Sequence, residues 1–122
     1  MRRICLALAA SLILSSPALA ETFVCKSVGI TDGDTLRCSS GVRVRLWGIQ
    51  APERNDPGGA AATRALAAIA GGRDLRCERK GKSYDRVVAR CWLGPTDVAG
   101  AMVTAGHAED WPRFSRGVYA RR

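Results

Sequence analysis

The stretch ITDGDTLRCSSGVRVRLWGIQAPE, residues 30–53, holds two turns and one plain strand. Asp32-Gly33-Asp34 is a tight-turn signal, and Ser39-Ser40-Gly41 is a second. Between them Thr35 to Cys38 reads as a short strand. After them Val42, Val44 and Leu46 alternate with Arg43, Arg45 and Trp47, the period of a strand with an apolar and a polar face. Gly48 to Pro57 is then a loop, broken by Pro52 and Pro57. Two carboxylates on a turn, an arginine on the next strand and a third carboxylate, Glu53, at the break make a pattern suited to metal-assisted phosphate chemistry.

Working outward, Thr22 to Ile30 predicts strand one, with Val24, Val28 and Ile30 on one face. Gly59 to Ala70 is alanine-rich, carries Leu66 and Ile69 at helical spacing and stops at Gly71-Gly72, which predicts a helix rather than an alanine linker. Asp74 to Arg79 is strand four, with Leu75 and Cys77 on one side. Lys80 to Asp85 reads as a polar loop. Arg86 to Leu93 is strand five, with Val87, Ala89, Cys91 and Leu93 sharing a side. Asp97 is an N-cap for a helix over Val98 to Ala105, which Gly106 stops. The order β-β-β-α-β-β-α predicts an α+β fold, a five-stranded Greek-key barrel of the OB type, a class that often binds oligonucleotides.

Residues 1–20 read as a cleavable signal peptide: a basic head at Arg2-Arg3, an apolar run from Ile4 to Leu14, and a small-residue site before cleavage after Ala20. The apolar run is too short to span a bilayer. The expected mature chain is one domain, residues 21–122. Of 19 Lys plus Arg, two lie in the leader, so 17 basic face 11 acidic side chains in the remainder, a net charge of +6. An arginine-rich basic domain suits a polyanion, because guanidinium binds phosphate bidentately. Surface charge for solubility alone is the blander reading. Four cysteines remain after the leader, Cys25, Cys38, Cys77 and Cys91, which in a small exported chain read as a disulfide framework. Residues alone permit three pairings. The strand order selects Cys25–Cys38, flanking the Asp32 turn, and Cys77–Cys91, facing each other across strands four and five. The first pair is offset from hairpin register, so strand one must bend or bulge. No C-x-x-C spacing points to zinc.

D-G-D-T, then V-R-L-W-G-I-Q-A-P-E, then Y-D-R at strand five, together with D-V-A-G-A-M-V-T-A-G-H-A, resemble the staphylococcal nuclease (thermonuclease) family, from about Val28 to Tyr119. The resemblance implies an OB barrel that hydrolyses DNA and RNA phosphodiesters with calcium. It implies Asp34 as a calcium ligand, Asp32 and Thr35 as residues that shape its turn, and Ala51 as a backbone carbonyl ligand. It implies Arg45 on the scissile phosphate, Glu53 orienting or deprotonating the attacking water, Arg86 on the transition state or leaving oxygen, and Tyr84 beside the nucleotide. Calcium takes hard oxygen ligands in flexible geometry, which suits such a set.

Two departures stand out. The family's second calcium carboxylate is an amide here, Gln50, so one ligand charge is lost and weak metal binding is expected. The third helix is expected to be short or missing, because the sequence ends at Arg122. His107, the sole histidine, reads as a surface or packing residue. Trp47 and Trp92 read as packing residues or stacking platforms. Trp111 and Phe114 read as a cover over the barrel. The sequence holds no Ser-His-Asp set, P-loop or Rossmann pattern. The leading expectation is an exported, periplasmic or secreted, monomeric calcium-dependent nuclease acting on single-stranded or loosely paired nucleic acid. The second is an OB module whose catalysis has decayed and which binds single strands only. A disulfide-stapled protein-binding domain is a distant third.

Overall fold

The computed structural model describes residues 21–120, with residue 7 and residues 9–11. The predicted leader falls almost wholly outside the described residues. The elements in order are β1 (Thr22–Asp32), β2 (Thr35–Cys38), β3 (Arg43–Leu46), β4 (Ile49–Gln50), α1 (Gly59–Ala70), β5 (Asp74–Ser83), β6 (Arg86–Leu93), β7 (Thr96–Asp97), α2 (Val98–Thr104), β8 (Glu109–Asp110) and α3 (Pro112–Ser115). The main sheet runs β3-β2-β1-β5-β6-β7, and β3 also pairs with β6. That last pairing is parallel, Val44 with Val87, Arg45 with Val88 and Leu46 with Ala89, and it closes β1, β2, β3, β5 and β6 into the predicted five-stranded OB barrel. Closure leaves few unpaired strand edges in so small a domain. The short pairs β6–β7 and β4–β8 are additions that two-residue strands give no sequence period to reveal.

The alternation of β3 holds: Val44 and Leu46 are fully buried, joined by Leu36, Ile49, Leu66, Leu75 and Met102. The single face expected for Val24, Val28 and Ile30 does not hold, since Ile30 packs against the core. Val24 is 71% exposed and Val28 49%, while Cys25 and Ser27 are buried. The reason lies in register shifts between Ser27 and Gly29 and between Ile30 and Asp32, where an extra residue reverses which side chains point inward. The expected bend in strand one is therefore present. The expected loop over Lys80 to Asp85 shrinks to Tyr84-Asp85, because β5 continues to Ser83 through a register shift at Gly81. Its last residues stand clear of the core, so they carry no apolar alternation to read.

Both predicted disulfides form, Cys25–Cys38 and Cys77–Cys91. Cys77 and Cys91 are register partners and fully buried. Such cross-links belong to an oxidising environment. Replacing Cys77 and Cys91 together by Ala should cost about 2–4 kcal/mol and lower the Tm by roughly 10–20 °C. An unchanged urea midpoint would contradict this.

The third helix is indeed short, four residues, and the chain after it folds back over the barrel. Tyr119 is fully buried and its hydroxyl donates to Asp97 Oδ2 at 2.8 Å. Gly48 lies beneath that ring at φ +81°, and a Cβ there would come 2.9 Å from Tyr119 Cε2. Asp97 also caps α2 through Gly100 N and accepts from Arg90 Nε at 2.8 Å, so one carboxylate ties barrel, helix and tail together. No helix among the described residues is long and apolar enough to cross a membrane.

Candidate functional site

The Asp32-Gly33-Asp34 turn joins β1 to β2 and points into the open end of the barrel. Asp34 N donates to Asp32 Oδ1 at 3.1 Å. A Cβ on Gly33 would fall 2.7 Å from Ala62 Cβ and 2.8 Å from Ala51 Cβ. Glycine is needed at 33 for close approach, since the turn is pressed between α1 and the loop after β4. Asp34 is buried beneath this contact. Its Oδ1 accepts from Thr35 Oγ1 at 3.0 Å, its Oδ2 accepts from Ala51 N at 3.1 Å, and Arg45 stands 3.4 Å away. Burial pushes the Asp34 carboxyl above the usual carboxylate range, and the Arg45 charge works against that shift.

Arg45 comes from β3, with a side chain 12% exposed. It donates to the Leu46 carbonyl at 2.6 Å and to the Ile49 carbonyl at 2.8 Å, bracing the β3–β4 turn. Burial holds its pKa below the usual guanidinium value, Asp34 opposes this, and the neighbouring Arg86 charge adds to it. Arg86 enters from the start of β6, which the parallel β3–β6 pairing places beside β3. It makes two contacts with neutral hydroxyls, Ser83 Oγ at 3.1 Å and Thr35 Oγ1 at 3.5 Å. Two guanidinium groups thus repel each other across one cavity, with the Asp34 carboxylate directly paired to only one of them.

That cavity, about 500 Å³, is lined by Asp32, Asp34, Arg45, Gln50, Ala51, Glu53, Tyr84 and Arg86. Each catalytic, metal and nucleotide-binding candidate named from the sequence therefore lines this one cavity, and Thr35 sits beneath it and connects Asp34 to Arg86. Tyr84 stands on the rim, 89% exposed, at the β5–β6 turn. That turn is braced by an ion pair between Arg43 and Asp85. Ala51 meets Asp34 through its amide N–H, whereas the sequence suggested a role for its carbonyl. Glu53 lies exposed on the loop before α1. Its carbonyl accepts from Asp56 N at 2.9 Å, and a Cβ on Gly59 would lie 1.7 Å from that same oxygen. The loop bearing Glu53 is thus seated directly on the first residue of α1.

Sequence reasoning missed Lys82, Ser83 and the aromatic wall. Trp111 and Phe114, read as a barrel cover, line the cavity as an edge-to-face pair with centroids 4.4 Å apart. The Arg45 guanidinium lies 5.7 Å from the Trp111 ring centre. The signal was their position after a helix stop, which gave no hint of where the tail returns.

The side chains in the cavity that could approach a cation, Asp32, Asp34, Gln50 and Glu53, would do so through oxygen. This suits a hard cation such as calcium. Among the described residues no three His, Cys, Asp or Glu side chains form a metal-holding group. Asp34 is already beside Arg45, and position 50 carries an amide rather than a carboxylate.

Compared with known proteins, the chain matches the family model described as Staphylococcal nuclease homologue over residues 43–117. A Haemophilus influenzae protein described as an uncharacterized endonuclease is 32% identical over 100 residues, covering 78% of this chain and 56% of that protein. The chain thus spans little more than half the length of that relative.

Proposed function

The chain belongs to the staphylococcal nuclease homologue family, and from that premise and the cavity's geometry we propose that it is an exported nuclease. It hydrolyses phosphodiester bonds of single-stranded DNA and RNA with a weakly held calcium ion. The observation that carries this reading is the convergence of the Arg45 and Arg86 guanidinium groups on one cavity that also holds Glu53. A phosphate diester seated between them removes the repulsion and accepts their unused N–H donors.

Arg45, already fixed by two carbonyls, positions the phosphate. Arg86 is held only by hydroxyls, so it can follow negative charge as it grows on the phosphoryl oxygens and the leaving oxygen. Glu53 takes the proton of the water that attacks phosphorus as the bond to the leaving oxygen breaks. Asp34, with the Gln50 amide and Asp32, would hold the calcium ion. When bound, that ion adds positive charge that polarises the phosphate.

Gly59 positions Glu53 in this scheme. Gly59→Ala must move the 53–56 loop and should lower kcat by about 100-fold with little change in KM. Gly58→Ala, at φ +81° but with its nearest contact 3.6 Å away at Pro52, strains only the backbone and should keep kcat within a few-fold. Equal losses in both variants would reduce Gly59 to a stability residue.

A second reading is favoured by Gln50: an OB module that binds single strands without cutting them. It predicts salt-sensitive binding and no cleavage. Calcium titration by calorimetry, beside Gln50→Asp, tests the metal half of the proposal. Restoring the carboxylate should tighten calcium about tenfold or more, and an unchanged affinity would remove Gln50 from the ligand set.

A further inference from the structure

Along one face of β5 and β6, joined by Trp47 from the end of β3, five side chains alternate cation and ring. Arg76 lies 4.6 Å from the Trp92 ring centre, Arg90 lies 5.1 Å from Trp92 and 5.6 Å from Trp47, and Lys80 lies 5.1 Å from Trp47. Each indole therefore carries two cations, and neither is an open platform for a base. Such stacking holds the Arg76 guanidinium in a fixed plane while leaving its edge N–H donors outward. Lys80 pairs with Glu78 at 3.2 Å and Arg90 with Asp97 at 2.8 Å. Arg76 is exposed and has no ion pair among the described residues.

The row is continuous with the candidate active site, because Trp47 and Val88 line that cavity too. From Arg86 in the cavity to Trp92 at the far end, β6 runs roughly 20 Å. We propose that this face is a track for the phosphate backbone of a single nucleic acid strand leaving the cavity, bound without base readout. A cavity of about 500 Å³ admits nucleotides of one strand, not a base-paired duplex. The track's length lies within the span of single-strand-binding barrels. This rests on the nuclease reading of the cavity and extends it to substrate length.

The test is fluorescence anisotropy on the mature chain in chelator, with labelled oligothymidylates of about 3 and about 15 nucleotides, over a salt series. Cleavage of both strands in calcium is measured in parallel. Arg76→Ala should weaken binding of the long strand roughly 3–10-fold and make its salt slope shallower by about 0.7. The short strand should bind as before. Arg64→Ala, an exposed cation on α1 away from the track, should match the wild type with both strands. Equal loss on both lengths, no loss, or as large a loss in Arg64→Ala would overturn the track. Cleavage by the wild type without any length dependence of binding would overturn the track and leave the nuclease reading standing. No binding and no cleavage at either length would overturn both.

Discussion

Arg86→Ala is expected to lower kcat on single-stranded DNA by roughly 100–1,000-fold while the fold stays close to wild-type stability. The two halves of that expectation have separate causes. Arg86 is only half-buried and its partners are the neutral hydroxyls of Ser83 and Thr35, so losing it strands no buried charge. Its removal even relieves the repulsion on Arg45. What is lost is a donor facing the charge that develops at phosphorus. Arg86→Lys should recover only part of the rate, because a point charge cannot reproduce two parallel N–H bonds. Single-turnover kinetics at saturating substrate, with urea unfolding of each variant, checks this. A variant that unfolds easily but turns over normally would reverse the assignment.

Arg45→Met should behave differently, losing stability and activity together. The guanidinium is nearly buried, faces Asp34 at 3.4 Å and satisfies the Leu46 and Ile49 carbonyls. Removing one partner of a buried pair leaves the other uncompensated, at a cost of about 3–5 kcal/mol. Adding Asp34→Asn to Arg45→Met should return part of that stability, since the orphaned carboxylate is gone, but none of the activity. Urea midpoints of the two single variants and the double variant measure the coupling. Strict additivity would mean that Arg45 and Asp34 do not act on each other.

The barrel was legible because its signals are local. Alternation in β3, the Gly stop of α1 and the capping Asp97 each report on their own neighbourhood, and together they order the strands. The disulfides followed from that order. The placement of the candidate site was legible where its residues sit at turns and strand ends with little reason to be there for packing alone, as with Asp34, Arg45 and Arg86. That Ile30 leaves the face shared by Val24 and Val28 was not legible, because a bulge changes alternation without marking the sequence. That Trp111 and Phe114 also wall the cavity was not legible for a related reason: the path of the tail depends on Tyr119 finding Asp97 and the bare surface at Gly48, a contact between residues far apart in sequence. Gly33 was read as a turn former, yet it is the space between Ala51 and Ala62 that demands it.

The most direct measurement is digestion of a labelled single-stranded DNA by the mature, disulfide-intact chain at millimolar calcium and again in excess chelator. Cleavage in calcium that stops in chelator, and that Arg86→Ala slows by roughly 100–1,000-fold, is the predicted result. Cleavage that continues unchanged in chelator, or none at any calcium concentration, would contradict a calcium-dependent nuclease built on Asp34, Arg45, Glu53 and Arg86.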